Sequence, residues 1–216
     1  MSSLSVNVYV EGPSDKYAME TLLSPLIQQK KQQGIAVEFF ESPSGDKKKT
    51  SLTKVPVKAA NTLLNRLDTY VVAVPDLYPM NRGFPHTNAG ELIAGMKAEF
   101  QKALERKAPD CDPRIAERFR AFCFKHDLEA LLLASEEALR SHLGVSQFKQ
   151  EWRQDVEEQD DKNPPKRIVE RLFQECGKKY HDVVDAPLIL SKVRYEEVAA
   201  RCPQGFGPFV DFLQSL

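Results

Sequence analysis

Leu4-Ser5-Val6-Asn7-Val8-Tyr9-Val10-Glu11-Gly12-Pro13 is the stretch that decides the fold. Residues 4–10 alternate in polarity and are rich in β-branched side chains, so they read as a strand, and Gly12-Pro13 ends the extended run. A helix is expected next, with Ser14 or Asp15 as its N-cap. Met19, Leu22, Leu23, Leu26 and Ile27 fall at i, i+3, i+4, i+7 and i+8, which makes one apolar helix face. Pro25 lies inside that stripe and is expected to kink it. Gly34 closes the helix, and residues 35–41 (IAVEFFE) read as a second strand.

Residues 42–54 are rich in Ser, Lys, Gly and Thr and read as a loop; Ala60, Leu63, Leu64 and Leu67 then repeat helical spacing. Residues 69–74 (TYVVAV) are almost wholly apolar, as in a strand buried on both faces of a parallel sheet, and end at Pro75-Asp76. Strand, helix, strand, helix, strand, with connections of this length, implies right-handed crossovers in a parallel sheet. A loop with Pro79, Gly83 and Pro85 leads to a helix carrying Leu92, Ile93, Met96, Phe100 and Leu104, and residues 118–124 (RFRAFCF) read as a fourth strand. From Asp127 the pattern is helical almost to the end. The expected fold is therefore a doubly wound α/β core with a mostly parallel sheet and an added helical C-terminal region. The core is placed at residues 1–134 and the helical elaboration at 135–216, with an acidic linker near 151–165. Residues 151–162 hold six acids and two bases before Asn163-Pro164-Pro165, and read as a solvated helix end or mobile linker.

Composition narrows the function. The chain has 216 residues, 42 % of them hydrophobic and 28 % charged, enough for a real core. Thirty basic residues against 31 acidic ones leave a net charge of -1, which argues against nucleic-acid binding through overall charge but not against a local basic patch. No apolar run approaches the roughly 18 residues of a membrane span. Met1 to Asn7 lacks the basic and long apolar segments of a signal peptide, so a cytoplasmic location is expected. Cys111, Cys123, Cys176 and Cys202 are widely separated and read as buried or incidental thiols. The P-loop, GxSxG and HExxH patterns are all missing.

In an open parallel sheet, ligands gather beyond the carboxyl ends of the strands, where strand order reverses. Glu11 ends the first strand and Asp76 the third. If the order is 2-1-3, both carboxylates reach one edge. Hard oxygen ligands there suit Mg²⁺ or Mn²⁺, which polarise phosphoryl oxygens and acidify bound water. Acids at strand ends also serve as helix caps, so position alone leaves both readings open. Lys47, Lys48 and Lys49, placed in the loop after the second strand, are candidates for phosphate contacts or for a solvated loop. Lys166 and Arg167 stand at a helix start, where the helix dipole disfavours cations, which suggests a use in pairing phosphate or carboxylate. Arg82, in the loop after Asp76, is a further basic candidate.

The residues also carry a resemblance. Val10-Glu11-Gly12-Pro13-Ser14-Asp15 resembles the opening motif of Toprim domains, and Val72-Ala73-Val74-Pro75-Asp76-Leu77-Tyr78 lies where Toprim enzymes have an Asp-x-Asp pair. Lys125-His126-Asp127-Leu128-Glu129-Ala130-Leu131-Leu132 is similar to the His-Glu-Phe-Glu-Ala-Leu-Leu motif of a Toprim-like bacterial family, domain of unknown function family 4276. Pro165-Lys166-Arg167-Ile168, Asp185-Ala186-Pro187-Leu188 and Cys202-Pro203 extend that similarity over nearly the whole chain. The resemblance implies a Toprim-type core and a metal-dependent nuclease acting on DNA or RNA in anti-phage or mobile-element defence, beside an ATPase partner. It implies Glu11 as metal ligand or general base and Asp76 as metal ligand. Tyr78 stands where Toprim enzymes have the second Asp, and a phenol is a poor Mg²⁺ ligand near neutral pH. Glu129 is expected to supply the missing ligand; alternatively Asp127 and Glu129 complement a helix N-terminus. His126 is a candidate general acid or base. The competing expectation is a catalytically inert Toprim-like module that binds a partner protein or a nucleotide.

Overall fold

The structure is a computed structural model that describes residues 4–159 and 162–216. In chain order it forms β1 (Leu4–Val10), α1 (Pro13–Leu22), α2 (Ser24–Gln32), β2 (Ile35–Glu41), α3 (Lys47–Asn65), β3 (Thr69–Val74), α4 (Ala89–Lys107) and β4 (Phe119–Ala121). Then come α5 (Glu129–Ala134), α6 (Glu136–Leu143), α7 (Pro165–Glu175), α8 (Asp182–Leu190), α9 (Tyr195–Arg201) and α10 (Phe206–Ser215). Contacts divide these elements into two units. The first is the chain up to Gly12 together with Pro25–Phe124; the second is Pro13–Ser24 together with Lys125–Leu216.

The first unit holds one all-parallel sheet in the order β2-β1-β3-β4. The expected α/β class with its 2-1-3 strand order is thus what the chain forms. Both faces of β1 are interior, since Val6, Val8, Tyr9 and Val10 are all buried. Tyr9, Val71, Ala73, Phe119 and Ala121 share one face and pack in a single cluster with Leu52, Val55, Ala59 and Leu63 of α3 and Leu92, Met96 and Phe100 of α4. Phe100 and Phe119 stack with ring centroids 4.7 Å apart. The Arg118 guanidinium donates to the carbonyls of Leu63, Arg66, Leu67 and Thr69, satisfying the open C-terminal end of α3 and the entry to β3.

Three local expectations are corrected. Residues 47–54 are helix, not loop: α3 begins at Lys47, with the Asp46 side chain accepting from the Lys49 amide 3.1 Å away. Its buried Leu52, Val55, Pro56, Ala59, Ala60 and Leu63 form an uninterrupted stripe at spacings of three and four, and tertiary burial outweighs the polar first turn and the internal Pro56. The fourth strand is shorter than expected. Pro113–Arg118 is a 3₁₀ helix, and beyond Ala121 only an isolated parallel bridge, Asp76 to Phe124, continues the pairing. Pro25 does more than kink: the first helical stripe is two helices, α1 and α2, and the boundary between units falls between Ser24 and Pro25.

The second unit is helical. α1 packs along α8, and α5 meets α6, α7, α8 and α9. Its acidic stretch is partly interior rather than wholly solvated, because Val156, Glu157 and Gln159 are buried. The Glu157 carboxylate accepts from the amides of Gln204 and Gly205 at 2.7 and 2.8 Å, where negative charge is favoured by the N–H groups that lack an intrahelical acceptor at the start of α10. Burial still pushes the Glu157 pKa up. Asp160 and Asp161 of that stretch, and Met1 to Ser3 of the start read above, lie outside the described residues.

Candidate active site

Register sets the first part of the site. Val10, the last residue of β1, is level with Val74, the last of β3, so Glu11 and Pro75-Asp76 leave the sheet side by side. The edge is held open by β4-side bonds: Leu77 donates to the Phe124 carbonyl at 2.6 Å, and Phe124 donates to the Pro75 carbonyl at 2.9 Å. These bonds fix the backbone that carries Asp76.

The Glu11 carboxylate is drawn into this edge. Its Oε1 accepts from the Asp76 amide at 3.2 Å and from the Lys48 ammonium at 2.8 Å. Lys48 Nζ donates in addition to the Asp76 carbonyl oxygen. The side chains of Lys48 and Glu11 are only 6 % and 15 % exposed, so this ion pair lies largely out of water. Nearby, burial pushes the Cys123 thiol up to about 12; the Lys48 charge opposes that rise, and the Asp76 and Glu11 charges add to it. Burial thus favours the neutral thiol at Cys123 over the reactive thiolate.

Glu11, Asp76 and Lys48 are thus brought together. Lys47 and Lys49, on the same helical turn as Lys48, are exposed, as is Arg82. Tyr78 is partly buried and packs against the core cluster with Met80 and Phe84.

The remaining candidates belong to the second unit. Glu129 opens α5 with its side chain 2 % exposed, and the Lys166 ammonium lies 3.9 Å away, also 3.6 Å from Asp182. Burial raises the Glu129 carboxyl to about 7; Lys166 acts against the rise and the charge of Asp127 adds to it. Burial and the negative charges of Glu129 and Asp182 push the Tyr180 phenol upward, keeping it protonated. Burial works against the Lys166 charge, but Glu129, Asp182 and Asp127 outweigh it and hold the ammonium above its usual range. His126 is buried, beside a 2.5 Å ion pair of Lys125 with Glu158. Arg167 is exposed, its guanidinium donating to the Lys162 carbonyl at 2.8 Å.

A divalent cation is the group the motif resemblance implies at this edge. Mg²⁺ is commonly held by one or two carboxylates, with water and substrate oxygens completing its shell. Glu11 and Asp76 meet that minimum with hard donors. Among the described residues no group of three or more His, Cys, Asp or Glu side chains is gathered that could hold a metal ion. The Glu11 oxygen that such an ion would need is held by Lys48, and the contacts Asp76 makes with Glu11 and Lys48 are through its backbone.

What the sequence missed is Lys48 as a partner of Glu11. The signal was present: Asp46 three residues before Lys49 is an N-cap pattern, and the apolar stripe from Leu52 back-dates the helix start. On such a helix only one of three consecutive lysines faces inward.

The residues from 10 to 214 match the family described as Domain of unknown function (DUF4276). The chain belongs to that family. In this DUF4276 chain the quoted motifs divide between the units, with Glu11 and Pro75-Asp76 in the first and His126, Glu129 and Lys166 in the second. Among solved structures, the C-terminal region of the Burkholderia pseudomallei OLD protein is 14 % identical with a TM-score of 0.49, covering 97 % of this chain and 96 % of that one. The C-terminal region of the Xanthomonas campestris pv. campestris OLD protein is 15 % identical with a TM-score of 0.45, covering 97 % and 96 %. No curated protein matches the DUF4276 chain. No helix among its described residues is long and apolar enough to cross a membrane.

Proposed function

We propose that the Glu11–Asp76 edge is the centre of a Toprim-type, Mg²⁺- or Mn²⁺-dependent phosphodiester hydrolase acting on DNA or RNA. One observation carries this reading. Two acidic residues 65 positions apart meet at the carboxyl ends of adjacent parallel strands, with the Glu11 carboxylate 3.2 Å from the Asp76 amide. Such an ion, when bound, supplies Lewis acidity to a phosphoryl oxygen and a more acidic water.

Each residue then has a task. Asp76 would hold the cation, and Glu11 would serve either as its second ligand or as the base that receives the proton of the attacking water. Lys47 and Lys49, exposed on the first turn of α3, meet backbone phosphates, where the helix N-terminus also favours anions. Within the second unit, the motif resemblance supports Glu129, whose carboxyl burial raises to about 7, and His126 as proton carriers. Lys166 and Arg167 add phosphate contacts. An ATPase partner and a role in defence, within the cytoplasm, complete the reading that the motif resemblance supports.

Asp76→Asn is the variant that tests it. The contacts that hold Glu11 and Lys48 use the Asp76 backbone, which this change keeps. Cleavage of single- and double-stranded DNA and RNA with Mg²⁺ or Mn²⁺ is expected to fall by about a hundredfold or more, with the melting temperature unchanged. Cutting at the wild-type rate would sink the assignment. The second reading is an inert module that binds a partner protein or nucleotide. It is favoured by the engagement of Glu11 with Lys48 and of Tyr78 with the core, and it gains if the wild type cuts none of these substrates yet retains a partner.

A further inference from the structure

We propose that Lys48 is the resident cation of this site, standing at Glu11 where a divalent ion would otherwise bind, so that metal loading is a competition with the protein's own ammonium. The inference rests on the reading of the Glu11–Asp76 edge as a cation site, and deepens it by naming what occupies the edge at rest.

Four observations lead there. Lys48 lies in the first turn of α3, the end of a helix where a positive charge is disfavoured. Its two neighbours in sequence, Lys47 and Lys49, take the ordinary course and stay exposed, whereas the Lys48 side chain is only 6 % exposed. Burying an ammonium against the helix dipole needs a compensating anion. Both of the acceptors it reaches, Glu11 Oε1 and the Asp76 carbonyl oxygen, belong to the candidate site. A hard cation would seek the same oxygens.

Charge explains the consequence. Lys48 already pairs with Glu11, so part of the negative charge that would attract a divalent ion to this edge is neutralised before any ion arrives. Tyr78 stands where a further acid would restore the deficit. A divalent ion must then either displace Lys48 or bind beside it against its repulsion. Either route weakens binding and makes it depend on whatever else can take up the ammonium, of which a substrate phosphate is the fitting example.

The test uses Mn²⁺ alone, without nucleic acid, on the full chain. Mn²⁺ binding is followed by electron paramagnetic resonance of the free ion, and the melting temperature is read with and without Mn²⁺. Lys48→Met is expected to bind Mn²⁺ at least about tenfold more tightly than wild type, since it removes a neighbouring like charge, and Mn²⁺ should raise its melting temperature far more than that of the wild type. Adding Glu11→Gln to Lys48→Met should abolish the gain. If Lys48→Met does not fold, Lys48→Gln, which keeps a hydrogen-bond donor without charge, takes its place with the same expectation. Equal affinity in wild type and variant, tighter binding by wild type, or no binding by either would overturn the proposal. A protein that gains Mn²⁺ affinity on losing Lys48 but cuts nothing keeps this inference and loses the nuclease reading; cleavage lost in Asp76→Asn with no Lys48 effect on Mn²⁺ does the reverse.

Discussion

Glu11 and Glu129 are the same residue, each facing a lysine, and the two units treat them in opposite ways. At Glu11 the ammonium of Lys48 is 2.8 Å away and itself 6 % exposed, so the carboxylate is met by a charge as sheltered as its own. At Glu129 the carboxyl is 2 % exposed, while Lys166 stands off at 3.9 Å, is 43 % exposed and is shared with Asp182. Burial therefore wins at Glu129, and its carboxyl rises to about 7. At Glu129 the basic neighbour is too wet and too divided to offset burial.

The largest test of this contrast removes the acid of the tight pair. Glu11→Ala leaves the sheltered Lys48 ammonium with only the Asp76 carbonyl as a described acceptor. Breaking a buried pair by deleting one partner costs about 3 kcal/mol, so a loss near that size is expected in urea unfolding. Much of it should return when Lys48→Met is added, because the stranded charge is then gone. A loss below about 1 kcal/mol, the range of exposed pairs, would mean the Glu11 pair behaves like a surface bridge, and the contrast with Glu129 would collapse.

At Glu129 the sign is reversed. Its carboxyl is raised from 4.5 to about 7 in the folded chain. Between those values the folded state binds more protons than the unfolded one, so the contribution to stability is full below pH 4.5 and is lost as pH rises through 7. By pH 8 the wild type has given up on the order of 3 kcal/mol. Glu129→Gln, neutral throughout, should escape that loss. The variant is expected to be more stable than wild type at pH 8 and close to it at pH 5, by chemical unfolding at both. Parallel pH profiles for the two proteins would show that Glu129 stays charged in the fold.

The two sites were not equally legible. Glu11 and Asp76 could be placed at one edge only on condition that their strands are neighbours; the alternation of residues 4–10 and the unbroken TYVVAV run show two strands of a parallel sheet but not which lie side by side. Lys48 was invisible as a partner because a run of three lysines after Ser44-Gly45-Asp46 reads as solvated chain. Only the stripe from Leu52 to Leu63, read backwards, shows that one of them must turn inward. Glu157 was hidden by its company, since an acidic neighbourhood masks a single carboxylate that binds the open amides of Gln204 and Gly205 47 and 48 positions away. The joining of α1 to the second unit depends on its packing along α8, a long-range match of apolar surfaces that local periodicity does not encode. Secondary structure follows from spacing, whereas the partner of a charge follows from which surfaces meet.

The finest test asks how much Lys166 does for Glu129. Lys166 is the chief opponent of the rise in the Glu129 carboxyl, yet it is nearly half exposed and divides its charge with Asp182. Water and the second acid both weaken its hold. Lys166→Met should therefore move the Glu129 titration further upward, but by a smaller step than burial has already produced, as followed by carbon NMR of the labelled carboxyl across pH 5 to 9. If Lys166→Met raised the Glu129 titration by as much as burial does, the 3.9 Å lysine would be as effective as the 2.8 Å one. Distance and exposure would then not be what separates the two acids.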